Sequence, residues 1–333
     1  MAAEALPDQG ASAAPLRRGK VERRPVLVAL SGADCPACGE MDRLVYERPQ
    51  TVQEIARSVV FLRRQVDDGE GAKLAAEHHV FALPTLLLLD SAGQEIERWT
   101  GFVDGALLVA HLGELRAGRN TLALLERRLA ALPVGARPPE LLFEVMRRHA
   151  LKGDPRAPEE LEALVAAAGR SPLVAEALLI LARYFYQGGR KDHVAACATL
   201  ERLVSLQPTT AAAKRAPYYL AISRHHLGDD AGALRTLEDW LAGEGRDLDR
   251  YNGFAWSALR LGLAPSRAIA VAREGLVAFP DAHALWDTLA QLLAARGDHP
   301  EALAAARKAL DLKPDDRGYA ALVARLEKAQ STP

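Results

Sequence analysis

Two regimes of hydrophobic patterning divide the chain. Between Pro25 and about Arg116, short apolar runs alternate with amphipathic stretches. Residues 26–30, Val-Leu-Val-Ala-Leu, form a continuous apolar run of buried-strand length. After the turn Ser31-Gly32-Ala33-Asp34, residues 35–46 carry helical spacing and stop before Pro49. Residues 51–57 read as a short helix, 59–64 as a strand and 71–79 as a helix with Leu74 and Ala75 on one face. Pro84 precedes a second buried strand, 85–89. The turn 91–94 and an alternating edge strand, 95–100, make a hairpin. Residues 103–115 close the unit as a helix. A β-α-β followed by β-β-α around a mixed sheet is the expected architecture.

Beyond Gly118 the strand signals stop, and from Asn120 to Gln330 only helical patterns remain, broken by Gly, Pro and Asp. The last unit, 283–314, carries Trp286, Leu289, Ala290, Leu293, Gly297, Ala302, Ala309 and Pro314. Shifted back by one repeat, the same slots hold Ala268, Gly275 and Pro280; Ala233 with Gly228, and Ala195 with Gly189, mark earlier units. Small residues let paired helices approach, and the Pro ends the second helix. These positions resemble the tetratricopeptide (TPR) consensus. Four units follow, 171–208, 211–246, 249–280 and 283–314, with 317–330 as a capping helix. Residues 119–170 form a helical connector. The expected fold is thus an α/β domain, 23–118, joined to an all-α TPR-type solenoid, 171–330.

Composition adds exclusions. The net charge of −1 favours neither nucleic acid nor a membrane surface. No run approaches the roughly 18 apolar residues of a membrane span. Three cysteines are too few for a disulfide-stapled scaffold. Residues 1–22 read as a disordered tail without a signal h-region, so a cytoplasmic location is expected, or a periplasmic one if a signal peptide was removed.

The chemistry lies in Cys35-Pro36-Ala37-Cys38. At a strand-to-helix junction, the first thiol sits at a helix N-terminus, where the dipole and free N–H groups favour a thiolate. The second lies one turn on, placed to attack a mixed disulfide formed by the first. A zinc site would need a second ligand pair, which is missing. A structural disulfide or an inert reduced pair remains open. No organic cofactor or metal is implied.

Strand, turn, Cys pair and Leu83-Pro84-Thr85 together resemble the thioredoxin superfamily over residues 23–118. The resemblance implies a cis Pro84 beside the disulfide as a substrate-docking element, Cys35 as attacking thiolate and Cys38 as resolving thiol. Leu83-Pro84-Thr85-Leu86 and Thr100-Gly101-Phe102-Val103-Asp104 look like the C-terminal thiol-reducing domain of DsbD-type proteins. Three departures stand out. Asp34 replaces the usual Trp and should raise the Cys35 thiol pKa. Ala29 stands where thioredoxins place a buried acid. Little sequence precedes residue 26, so the first strand and helix of full thioredoxins are absent or built from the tail. Asp42, one turn after Cys38, aligns with an acidic position of DsbD-type domains and is the candidate proton acceptor.

Plainer roles are expected elsewhere. His78 and His79 end a helix, Cys197 lies in an apolar helical stretch, and Trp286, Trp256 and Tyr251 suit the repeat core. Arg23, Arg24, Arg63 and Arg64 read as surface charge. The expected activity is thiol–disulfide oxidoreduction, in the reducing direction, on protein substrates, with electrons from an upstream dithiol protein. A peptide or protein partner would occupy the TPR groove. The alternatives are a redox-inactive scaffold and a redox-sensing adaptor. No sequence feature ties residues 120–330 to the Cys pair, so the repeats are expected to choose a partner without joining the chemistry.

Overall fold

The computed structural model describes residues 19, 21–32, 35–243, 245 and 247–330. Asp34, and most of the expected tail, lie outside them. The described residues group into two compact units that divide between Lys191 and Asp192, inside the first expected helical hairpin.

The first unit is built on a four-stranded sheet: β1 (Val26–Ser31), β2 (Val60–Gln65), β3 (Thr85–Leu89) and β4 (Glu95–Thr100), in the order β2-β1-β3-β4. β1 and β2 are parallel; β3 runs antiparallel to both β1 and β4. Strand alternation sends Leu27, Ala29, Phe61, Leu86 and Trp99 to one face. There they meet α1 (Pro36–Met41) with its π-helical continuation Asp42–Tyr46, α2 (Pro49–Ser58) and α4 (Gly105–Arg116). Val28, Leu30, Leu62 and Leu87 pack on the other face, under Leu74 of α3 (Gly69–Glu77). A fully buried side chain such as Leu27 or Leu30 contributes about 1.5–3 kcal/mol relative to exposure.

The connector supplies α5 (Leu122–Ala130), α6 (Pro139–Lys152) and α7 (Ala157–Ala168). α8 (Pro172–Ile180) follows and runs on as a π-helical stretch, Leu181–Arg190. These helices share the sheet's compact unit. The edge strand β4 alternates as expected, but its polar side chains are not left to solvent. Glu97 is 3% exposed and Arg98 4%. Glu97 pairs with Arg148 of α6 at 2.6 Å, and Arg98 donates to the carbonyls of Leu151 (2.9 Å) and His78 (2.6 Å). A helix thereby covers an edge whose free N–H and C=O groups would otherwise invite pairing with another chain.

Two further expectations are corrected. Arg64 is buried, bonded to Glu70 at 2.7 Å. Arg24 ties the segment just before β1 to the end of α2 through the carbonyls of Ala56 and Val59. Neither is free surface charge.

The second unit is helical throughout its described residues. It runs through α9 (His193–Leu206), α10 (Ala211–His226), α11 (Asp230–Ala242), α12 (Leu248–Leu261), α13 (Pro265–Ala278), α14 (His283–Arg296), α15 (His299–Leu312) and α16 (Arg317–Gln330). Asp192 and Asp229 cap helix starts by accepting from the amides of Ala195 (2.9 Å) and Gly232 (2.8 Å). Gly262 and Gly297 end helices at positive φ. Gly275 shows why the repeat needs a small residue: a Cβ there would lie 2.7 Å from Leu285 and 2.8 Å from Tyr251.

Candidate functional site

Cys35 follows β1 and the turn at Gly32. Pro36 occupies the first helical position, where its missing N–H costs nothing and its φ is already helical. Cys35 is therefore the N-cap residue. Its Sγ accepts from the amide of Cys38 at 3.2 Å, and its carbonyl accepts from the amides of Cys38 and Gly39. The two cysteines are joined as a disulfide, with Cα atoms 5.2 Å apart. Cys35 is half-buried, whereas Cys38 is 5% exposed. A nucleophile must be reached from outside and a resolving thiol must not; the two environments differ in that sense.

The expected proline follows Leu83 at the start of β3. The Leu83–Pro84 peptide bond is cis. Leu83 reaches back to the turn before Cys35, because a Cβ on Gly32 would lie 2.9 Å from Leu83 Cδ1. The Pro84 carbonyl accepts from Gly101 at 2.8 Å, and the Thr85 hydroxyl donates to the Ala82 carbonyl at 2.7 Å. Two residues after Gly101, the Val103 amide donates to Met41 Sδ at 3.3 Å, at the end of α1. The loop 100–103 thus spans from the proline to the cysteine helix. On it Phe102 is 42% exposed, an apolar side chain left beside Gly101.

Asp42 directly follows α1, and its amide donates to the Cys38 carbonyl. Its carboxylate is held by Arg63 of β2, so Arg63, like Arg64, departs from the expected surface role. Arg63 is the register partner of Ala29 and its guanidinium lies 5.0 Å from the Tyr46 ring centroid. Among the described residues the buried Tyr46 hydroxyl has no hydrogen-bond partner; burial pushes its phenol up, against the opposing pull of Arg63. A cation thus stands on the strand next to Ala29, the position where thioredoxins place a buried acid. Sequence reasoning missed Arg63, yet period-two alternation with Phe61 places it on the α1 face.

The remaining candidates stand apart. His78 caps α3 with its Nδ1 3.6 Å from Glu95, while His79 is exposed. Cys197 is a half-buried free thiol, pushed up by burial and by Glu201. Tyr251 is core and Trp286 packs against it, but Trp256 is half-buried beneath Arg260. Among the described residues, no group of three His, Cys, Asp or Glu side chains could hold a metal ion, and no helix is long and apolar enough to cross a membrane.

Comparison with known proteins agrees with both halves. Residues 16–116 match the family described as a thioredoxin-like domain, and residues 176–210 match the tetratricopeptide repeat. The thiol:disulfide interchange protein DsbD of Escherichia coli (strain K12) is 36% identical over 93 residues, 27% of this chain. DsbD of Yersinia pestis (strain Pestoides F) is 32% identical over 97 residues, 28% of this chain. The match spans 16% of the length of either relative. Among solved structures, a thioredoxin from Thermus thermophilus is 26% identical, covering 31% of this chain and 81% of its own, with a TM-score of 0.28. The TPR protein YrrB is 13% identical, covering 61% of this chain and 97% of its own, with a TM-score of 0.38. The two family matches and the DsbD relatives support a thioredoxin-like domain followed by TPR-type helices.

Proposed function

We propose that this chain is a thiol–disulfide oxidoreductase that reduces disulfides in protein substrates, with its repeats engaging a protein partner. The observation that carries the reading is the contrast at the Cys pair: a half-buried Cys35 whose sulfur is faced by the Cys38 amide, and a buried Cys38. In the reduced protein the Cys35 thiolate attacks one sulfur of a client disulfide, forming a mixed disulfide and releasing the other sulfur as a thiolate. Cys38, losing its proton, then attacks Cys35 Sγ and releases the second client thiol. Two electrons pass to the client, and an upstream dithiol protein replaces them. Asp42 is the proton acceptor for Cys38 and Pro84 the docking element.

The reducing direction follows from Asp34, which adjoins Cys35 in sequence. A neighbouring carboxylate disfavours the thiolate, and a less stable thiolate makes a less stable reduced form. The DsbD relatives are thiol:disulfide interchange proteins, which suits the same chemistry. The TPR array would hold a peptide or protein and raise a client's local concentration.

Ala29 favours a second reading, a redox-sensing or redox-inactive scaffold, because the buried acid is missing. Dithiothreitol-coupled insulin reduction separates the two. The oxidoreductase reading expects turnover by the full chain that Cys35→Ser abolishes. Turnover no faster than dithiothreitol alone would leave the scaffold.

A further inference from the structure

The loop that carries Pro84 is clamped at a place the disulfide chemistry does not explain. Its beginning is fixed where Arg98 binds the His78 carbonyl, and its end where Thr85 and Gly101 hold Ala82 and Pro84. Between them, Phe81 rests on the backbone of Gly188 and Gly189, in the π-helical stretch Leu181–Arg190. A Cβ on Gly188 would lie 2.2 Å from Phe81 Cδ2, and one on Gly189 3.3 Å from Phe81 Cε1. Two consecutive glycines disfavour a helix, and here their missing side chains make the seat for the ring. π-Helical turns are rare and recur at functional positions. Gly189, which marks the first unit in the repeat pattern, lies within this π-helical stretch. Two residues beyond Phe81, Leu83 lies over Gly32, the turn that leads to Cys35.

We propose that Phe81, seated on Gly188 and Gly189, positions the Leu83–Pro84 loop against the Cys35 turn, making the first hairpin helix a working part of the disulfide-exchange site. The inference rests on the oxidoreductase reading and deepens it: Phe81 and Gly188 are positioning residues for client docking. Because misplacement of a docking element by about 1 Å can cost up to 10²-fold, their effect falls on client binding. Small thiols and small disulfides, which need no docking surface, are indifferent to them.

The test uses the full chain with a disulfide-bonded peptide as client. Gly188→Ala is expected to raise KM about tenfold or more, with kcat changed by less than about twofold. Gly189→Ala, whose Cβ has more room, should do so more weakly. Phe81→Ala should reproduce the KM effect and Phe81→Leu should largely restore wild-type KM. The amide resonances of Gly32, Leu83 and Thr85 should shift in Gly188→Ala. Unchanged KM and unmoved resonances in a folded Gly188→Ala variant would overturn the proposal. If that variant does not fold, Phe81→Ala decides: wild-type KM there overturns it equally. Should the wild-type protein show no turnover, the oxidoreductase reading fails, and the resonances alone then decide whether the loop is positioned as argued.

Discussion

Arg148 Nη1 lies 2.6 Å from Glu97 Oε2, and the two side chains are 6% and 4% exposed. This pair joins a helix of the connector to the edge strand of the sheet. Burial raises the Glu97 carboxyl and lowers the Arg148 guanidinium, each only partly offset by the attraction of the other. Desolvation therefore outweighs the gain, as it commonly does for buried pairs. Arg148→Met, which strands Glu97, should destabilise the first unit by about 3–5 kcal/mol. Glu97→Leu together with Arg148→Met should recover most of that loss. Urea denaturation of both variants checks it; equal destabilisation by the single and double variants contradicts it.

Modification should distinguish the thiols. In the reduced protein, limiting iodoacetamide followed by peptide mapping should label Cys35 ahead of Cys38 and Cys197. Cys38 is buried, and Cys197 is pushed up by burial and Glu201. Preferential labelling of either would remove Cys35 from its role.

Asp42→Asn should slow resolution of the mixed disulfide by about 10²-fold at neutral pH, the usual worth of a positioned base. Arg63→Gln removes the cation that holds the carboxylate in place, and should slow the same step, though less than Asp42→Asn does. Stopped-flow release of a client thiol measures both. An Asp42→Asn rate equal to wild type would exclude Asp42 as acceptor.

The outline of the site was legible in sequence because its signals are local. The apolar run before Cys35, Pro36 at the helix start and Pro84 ahead of a strand each act on their own neighbours. Aspartate caps and glycine ends likewise marked the repeat hairpins. The buried charges were not legible. Glu97 beside Ile96 reads as a half-exposed strand, and only the distant Arg148 makes its burial tolerable. Arg63 and Arg64 read as a charged pair until alternation sends one to Asp42 and the other to Glu70. The seat of Phe81 on Gly188 is equally long-range. Period and propensity carry no information about it.

Two groups give the pH dependence opposite signs. Burial would raise Glu95, but bonds from His78 and Arg98 outweigh it and hold the carboxyl at about 2, against 4.5 unperturbed. Its contribution is present above pH 4.5 and is lost as pH falls towards about 2. Glu95→Gln should flatten the loss of stability across that window.

His149 is 1% exposed, with Glu160 2.8 Å from Nδ1, Glu126 3.1 Å from Nε2, and Asp154 and Arg156 also facing it. Burial would lower the imidazole, yet the bond and charge of Glu160 prevail and raise it above the usual 6.5. Its contribution is complete below pH 6.5 and lost as pH rises through the elevated value. Urea midpoints from about pH 6 to about pH 9 should fall for wild type and less for His149→Gln. Equal slopes would contradict the assignment.

The central claim is that the Cys35–Cys38 disulfide is exchanged in the reducing direction. Its most direct test is the equilibrium reduction potential of the pair, titrated against reduced and oxidised dithiothreitol. The predicted result is a reversible two-electron transition near that of thioredoxin, about −270 mV. A potential well below about −300 mV would mark a structural bond, and one near about −120 mV an oxidant; either would contradict the account.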